Sequence, residues 1–517
     1  MNIFGLSLVS KTGIAVLSVW AGAMLCDTAV AAPAMSVSPP AGPPTTSVTV
    51  SGTGFSASAL VDIYFDTTDL CLTIAGGTGN IRCVIQIPKD AQPQTHWISA
   101  VQRSTSIGAQ KSITVRTDWA QFHGRDAKHT GFNPFENTLN TSNVANLDTL
   151  WRAPISPAGG YGTYSTPVVA NGKVYIGAVD GKLYAFLAKT GTPVPGFPKT
   201  LGAQVIHSSP AVGFGNVYVA TAGSDHKLYA FNATTGAAVA GFPVTLGDVV
   251  YSSPTLFGGN IYLGCGDGKV YGFNATTGAA VPGFPVVVAG SGNVYATVSA
   301  AHDRIFVGAF DGGSFYAFDS ATGAAIAGYP KPTGRILSTA AIVSGQVFFA
   351  SADDHYLYGV RAGDGQDLSG FPFTAGSVHA SSPAVGDGQV IVGSTDNSLY
   401  SYSTVTGAAR WSVPLDDFGD GSPILANGVV YMATRRSLYA LSASTGTLLW
   451  RAAIPTYQFN SPTVADGIVF IGSSDGYLYA FSLNGMAPSS RLPGGELGIK
   501  PALSSLKPNL SLKAPRN

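Results

Sequence analysis

The chain is short of charge, of cysteine and of clustered histidine. Of its 517 residues only 11% are Asp, Glu, Lys or Arg, with 28 basic against 28 acidic and a formal net charge of zero. A soluble domain usually carries about 25%. Without a basic excess or a basic block there is no electrostatic footprint for nucleic acid, and none is expected as a partner. The four cysteines include no CxxC pair and no CxxCH, so nothing supports covalent haem. The eight histidines are dispersed, without HExxH or a His-Cys cluster. No apolar run after residue 31 is long enough to span a membrane. Glycine is the opposite case, at 64 residues, where average usage near 7% gives about 36. A hydrophobic content of 45% excludes bulk disorder.

The ends of the chain differ from its middle. Residues 1–31 read as a secretory signal: Lys11, an apolar Gly13–Cys26 stretch, and the small-x-small site Ala29-Val30-Ala31. The bulky Met24 and Leu25 before Cys26 argue against lipidation there. An exported protein, periplasmic or extracellular, is expected. Of the three remaining cysteines, Cys71 and Cys83 flank the turn Gly76-Gly77-Thr78-Gly79 and can join in an oxidising compartment. Cys265 sits in the apolar run Tyr262-Leu263-Gly264-Cys265 and reads as a buried thiol. Residues 32–116 alternate polar and apolar positions in short runs, Ser47-Val48-Thr49-Val50 among them, which predicts an antiparallel sandwich. A strap over 117–149 follows. The tail over 486–517, rich in Pro and Ser, is expected to be disordered.

Residues 150–485 repeat. Aligned on Pro167, Pro210, Pro254, Val298, Ala340, Pro383, Pro423 and Pro462, the copies are spaced 39 to 44 residues apart. A turn residue, glycine in seven copies, stands five positions later, from Gly172 to Gly467, with Asp303 the exception. Each copy places a tyrosine at one point: Tyr184, Tyr229, Tyr271, Tyr316, Tyr358, Tyr400, Tyr439 and Tyr479. Four short strands and no helical period make each unit a small sheet, which buries its faces only by stacking on its neighbours about an axis. The fold class expected is all-β: an eight-bladed β-propeller preceded by a small immunoglobulin-like β-sandwich. The eighth copy stops after its third strand. The segment Leu150-Trp151-Arg152-Ala153-Pro154-Ile155 matches the ending Leu449-Trp450-Arg451-Ala452-Ala453-Ile454, so an N-terminal strand is expected to complete blade eight and close the ring.

The phrases Ser473-Ser474-Asp475-Gly476-Tyr477-Leu478-Tyr479 and Thr445-Gly446-Thr447-Leu448-Leu449-Trp450, with the lead-in Asp118-Trp119-Ala120-Gln121-Phe122-His123-Gly124, resemble the pyrroloquinoline-quinone-like propeller family. Val50-Ser51-Gly52-Thr53-Gly54-Phe55 resembles modules of the IPT/TIG immunoglobulin-like type. The propeller resemblance implies either a quinone-dependent dehydrogenase or a non-catalytic scaffold of outer-membrane assembly. The dehydrogenases carry vicinal cysteines, which this chain lacks, and a tryptophan after each Thr-Gly turn. Here only Trp151, Trp411 and Trp450 stand there, while five blades end in Gly-Phe-Pro or Gly-Tyr-Pro.

Two registers of the repeat point at a site. One residue before each anchor lies a hydroxyl: Thr166, Ser209, Ser253, Thr297, Thr339, Ser382, Ser422 and Ser461. Such a ring serves to fix the innermost strands or to line a polar channel. Three before each anchor the residue varies: Tyr164, His207, Tyr251, Tyr295, Leu337, Ala380, Asp420 and Phe459. Variation at one geometric position is what a recognition surface shows, so Tyr164, His207, Tyr251, Tyr295, Asp420 and Phe459 form the expected ligand-binding mouth. Asp416, Asp417 and Asp420 form an acidic loop, a candidate calcium site. His123 and His129 stand six apart in the strap. No catalytic set is recognised. The expectation is a monomeric scaffold binding an envelope protein or glycan, without a cofactor. The alternative is a sugar or alcohol dehydrogenase using pyrroloquinoline quinone with calcium.

Overall fold

A computed structural model describes residues 32–156, 162–202, 208–288, 292–456 and 460–483. The segments expected as signal and tail lie outside these residues. Two sheets come first. Strands Ala34–Ser38, Ser47–Thr53 and Ile81–Gln86 form one, and Ala41–Gly42, Gly108–Val115, Thr95–Gln102, Leu60–Phe65 and Thr68–Ile74 the other. Alternation sends Val48, Val50, Ile63, Ile85, Ile98 and Ile113 into the space between them. A Cys71–Cys83 disulfide ties the edge strand of one sheet to the edge strand of the other.

Eight blades of four antiparallel strands follow, the seventh extended by Phe132–Asn133, which pairs parallel with its innermost strand. In blade one the strands are Val168–Ala170, Lys173–Gly177, Lys182–Leu187 and Lys199–Thr200, and the next six copies repeat that order. Each innermost strand lies beside that of the next blade, and the innermost strand of the eighth lies beside that of the first. Blade eight takes its outer strand from Leu147–Pro154, which pairs antiparallel with Tyr477–Leu483, Trp151 opposite Ala480. The closing strand therefore begins at Leu147, three residues inside the segment assigned above to the strap.

The missing tryptophans have a structural equivalent. Trp411 donates its indole N–H to Ala443 O in the next blade, and Trp450 and Trp151 do the same to Leu147 O and Ala188 O. In the first three blades the tie comes from the second strand, where Tyr175, Tyr218 and Tyr262 donate to Ala233, Ala275 and Ser320 carbonyls one blade on. The ring of the Gly-Phe-Pro ending then packs edge-on or tilted against that tyrosine, as Phe197 does on Tyr175 at 5.9 Å. Gly196 sits at φ +86°, and a Cβ there would collide with Thr235 O of the adjoining blade. The repeated tyrosines of the third strand serve the hairpins. Tyr184, Tyr229, Tyr271, Tyr358, Tyr400 and Tyr479 each donate to the aspartate four residues before, at 2.7–2.8 Å.

The strap follows the innermost strands in blade order. Trp119 pairs with Val169, Ala120 O accepts from Val212 N, Gln121 Oε1 from Leu256 N, and Ala127 O from Ala300 N. Lys128, Thr130 and Gly131 carbonyls take Ile342, Val385 and Leu425 N–H, and Asn133 reaches Val464 O. By Asn133, therefore, the innermost strand of every blade has been bonded. Trp119, wholly buried, anchors the crossing in the core shared by blades one, seven and eight.

Candidate functional site

The innermost strands bring the two registers together at the axis. Backbone N–H groups of Thr166, Ser209, Ser253, Thr339, Ser382 and Ser422 each donate to the hydroxyl oxygen of the equivalent residue one blade on, at 2.9–3.0 Å. The hydroxyl ring is thus a belt that holds neighbouring blades at fixed spacing, with the oxygens of Ser209, Ser253, Thr297, Ser382, Ser422 and Ser461 engaged as acceptors.

Next to the belt the varied register opens into a cavity of about 320 Å³. Tyr164, Tyr251, Tyr295, Leu337, Ala380 and Asp420 line it, together with the belt hydroxyls of blades one and three to seven. His207 and Phe459, the other two members of that register, lie outside the described residues. The Tyr251 and Tyr295 rings meet edge to face, centroids 5.0 Å apart at 87°. Tyr295 continues onto Phe310 at 4.9 Å. Burial, with Tyr251 and two aspartates as smaller contributors, holds the Tyr295 hydroxyl above its ordinary pKa, so it stays neutral. Asp420 is 2% exposed and is the one charged side chain among the described lining residues.

The three carboxylates of the acidic loop do not share a focus. Asp416 accepts from Thr434 and Ser437 hydroxyls and pairs with Arg451. Burial pushes its carboxyl up, but these contacts together outweigh burial and hold it below the usual range. Asp417 pairs with Arg436 at 3.0 Å. Asp420 alone reaches the cavity. No group of three metal-ligating side chains stands together among the described residues. Arginines and hydroxyls have taken two of the three carboxylates expected to hold calcium.

The strap histidines are structural. His123 sets Nε2 2.8 Å from Pro423 O and Nδ1 3.1 Å from His129 O, and His129 sets Nε2 3.0 Å from Thr255 Oγ1. Burial brings His123 down to about 4 and lowers His129 as well, so both rings are neutral near pH 7. Cys265 is wholly buried and its thiol is pushed up to about 11, far from a nucleophile's range. One lining residue carries no signal in the repeat: Phe122, which reaches the cavity from the strap. It stands outside the repeat register, so only the path of the strap reveals it.

The family described as "Outer membrane protein assembly factor BamB" matches residues 141–369, 353–437 and 418–487. Curated protein sequences yield no match. Among solved structures, BamB from Moraxella catarrhalis is similar at 18% identity and TM-score 0.54, covering 66% of this chain and 99% of that one. The quinohemoprotein alcohol dehydrogenase from Comamonas testosteroni aligns at 16% identity and TM-score 0.58, over 72% of this chain and 81% of that one. A europium-containing methanol dehydrogenase aligns at 13% and TM-score 0.55, over 70% and 98%. At such identities the likeness is one of fold.

Proposed function

The chain belongs to the outer membrane protein assembly factor BamB family, and from that premise we propose that it is an exported, non-catalytic propeller that seats part of an envelope protein at its channel mouth. The observation that carries this reading is the cavity wall. Among the described residues it joins three tyrosines and a phenylalanine to a single carboxylate, a set suited to holding a side chain and poor in groups that move protons. The family description supports the protein partner over the glycan. The belt oxygens already accept backbone N–H groups, which reduces their capacity for a sugar. No helix among the described residues is long and apolar enough to cross a membrane. The N-terminal sandwich, read as an IPT/TIG-type immunoglobulin-like module, serves in this proposal as a spacer.

The donor set suits the dehydrogenase reading poorly. Pyrroloquinoline quinone is a tricarboxylate, and no Lys, Arg or His stands among the described lining residues to neutralise it. One carboxylate facing three more is a poor match, and among the described lining residues calcium finds one carboxylate, Asp420.

Two measurements decide. A photo-crosslinking amino acid at position 251 or 295, in cells exporting the protein, is expected to capture an envelope protein that the same group at exposed Val405 does not. Purified protein with pyrroloquinoline quinone and calcium is expected to reduce no dye with alcohols or aldoses. Turnover that Asp420→Ala abolishes would overturn the scaffold reading.

A further inference from the structure

We propose that the channel mouth is selective for an organic cation, the ammonium or guanidinium head of a lysine- or arginine-type group. This rests on reading the mouth as a binding site. The described wall carries one formal charge, the carboxylate of Asp420, in a pocket where low dielectric strengthens its field. Tyr164, Tyr251, Tyr295 and Phe122 line the same cavity, Tyr251 and Tyr295 from blades three and four, across the ring from Asp420 on blade seven. The faces of aromatic rings are electronegative and attract cations. Tyr251 and Tyr295, at 87° to each other, form the corner of a cage.

The same aromatic run already hosts a cation. The Arg335 guanidinium lies 5.0 Å from the centroid of Phe310, which packs on Tyr295. Arg335 is itself held by Asp353 at 2.7 Å and is not a lining residue of the cavity. An anion would meet a carboxylate and no cationic side chain on the described wall. A neutral polyol would compete with backbone N–H groups for the oxygens of Ser382 and Ser422 and would gain nothing from the carboxylate's charge. A cation meets a carboxylate on one side of the cavity and an aromatic wall on the other.

The head group could arrive on a partner's side chain or as a free amine, and the probes separate the two. Ligand-observed NMR would follow n-butylammonium, its neutral counterpart n-butanol, and a short unstructured peptide carrying one central lysine. Saturable binding of n-butylammonium but not n-butanol is expected, weakened about tenfold or more by Asp420→Asn. Should Asp420→Asn fail to fold, Tyr295→Leu is expected to weaken the cation about threefold while Tyr295→Phe retains it. Tighter binding of the peptide assigns the cation to a side chain, and equal binding assigns it to a free amine; both support cation selectivity. Equal binding of n-butanol and n-butylammonium, or an Asp420→Asn protein that folds and binds unchanged, overturns it. Crosslinks at 251 and 295 that persist in that case leave the protein-binding reading standing, and cation binding without crosslinks does the reverse.

Discussion

Asp466 shows how one buried group sets a pH response. It is 5% exposed, takes the Thr117 N–H at 2.6 Å, and neighbours Asp118 and Glu136. Burial first, then those two carboxylates, pushes its pKa up to about 7. The folded protein therefore favours the neutral acid. Its stabilising contribution is full below the ordinary value of 3.8 and is lost as pH rises through about 7. Glu136, raised by burial, acts in the same direction. Below about pH 6.5 the buried His123 and His129, both lowered from that value, act the other way, so the melting temperature is expected to fall between about pH 6.5 and pH 8. In Asp466→Asn the fall is expected to be smaller, since asparagine is neutral throughout and tolerates the φ of 55° found here. A variant with the full wild-type slope would place the response elsewhere.

Among the elements, the strap contributes most beyond its own length. It has almost no regular structure, with a two-residue strand at Phe132–Asn133, yet it bonds the innermost strand of every blade. Those strands are only three residues long, and without the strap their inward N–H and C=O groups would face the channel unpaired. Trp119 pins the crossing. Trp119→Ala is expected to cost about 3–5 kcal/mol in urea unfolding, because the void opens in a core shared by three blades. A loss under about 1 kcal/mol would mean that the strap docks weakly.

The whole molecule has two bodies with separate cores, the sandwich and the propeller. A small set of polar contacts joins the sandwich to the strap and blade one. Asn137 bonds Lys89 and Ala91 carbonyls, Thr138 bonds Gln92, and Lys189 reaches Pro93 O. Separate cores joined through polar contacts predict separate unfolding. Replacing Cys71 and Cys83 by serine is expected to lower the sandwich by about 2–4 kcal/mol and leave the propeller transition in place. Calorimetry checks this: one transition that shifts as a unit would show the bodies to be coupled.

The repeat makes the ring legible in the chain alone, down to the closing strand, because the copies carry a turn residue, a tyrosine and a hydroxyl at fixed offsets. Those are local demands, met within about forty residues, and they recur whenever the unit recurs. The described members of the varied register line the cavity for the same reason, since a fixed offset from a repeated anchor is a fixed place in a propeller. What the acidic loop does was not legible. Asp416, Asp417 and Asp420 are alike in sequence, and only the arrival of Arg451, Arg436 and the cavity separates their roles. The strap histidines are further cases, their rings fixed by Thr255 and Pro423, more than a hundred residues away. Glycine punctuation is written in the chain; the company a charged or aromatic group keeps is decided only when the ring closes.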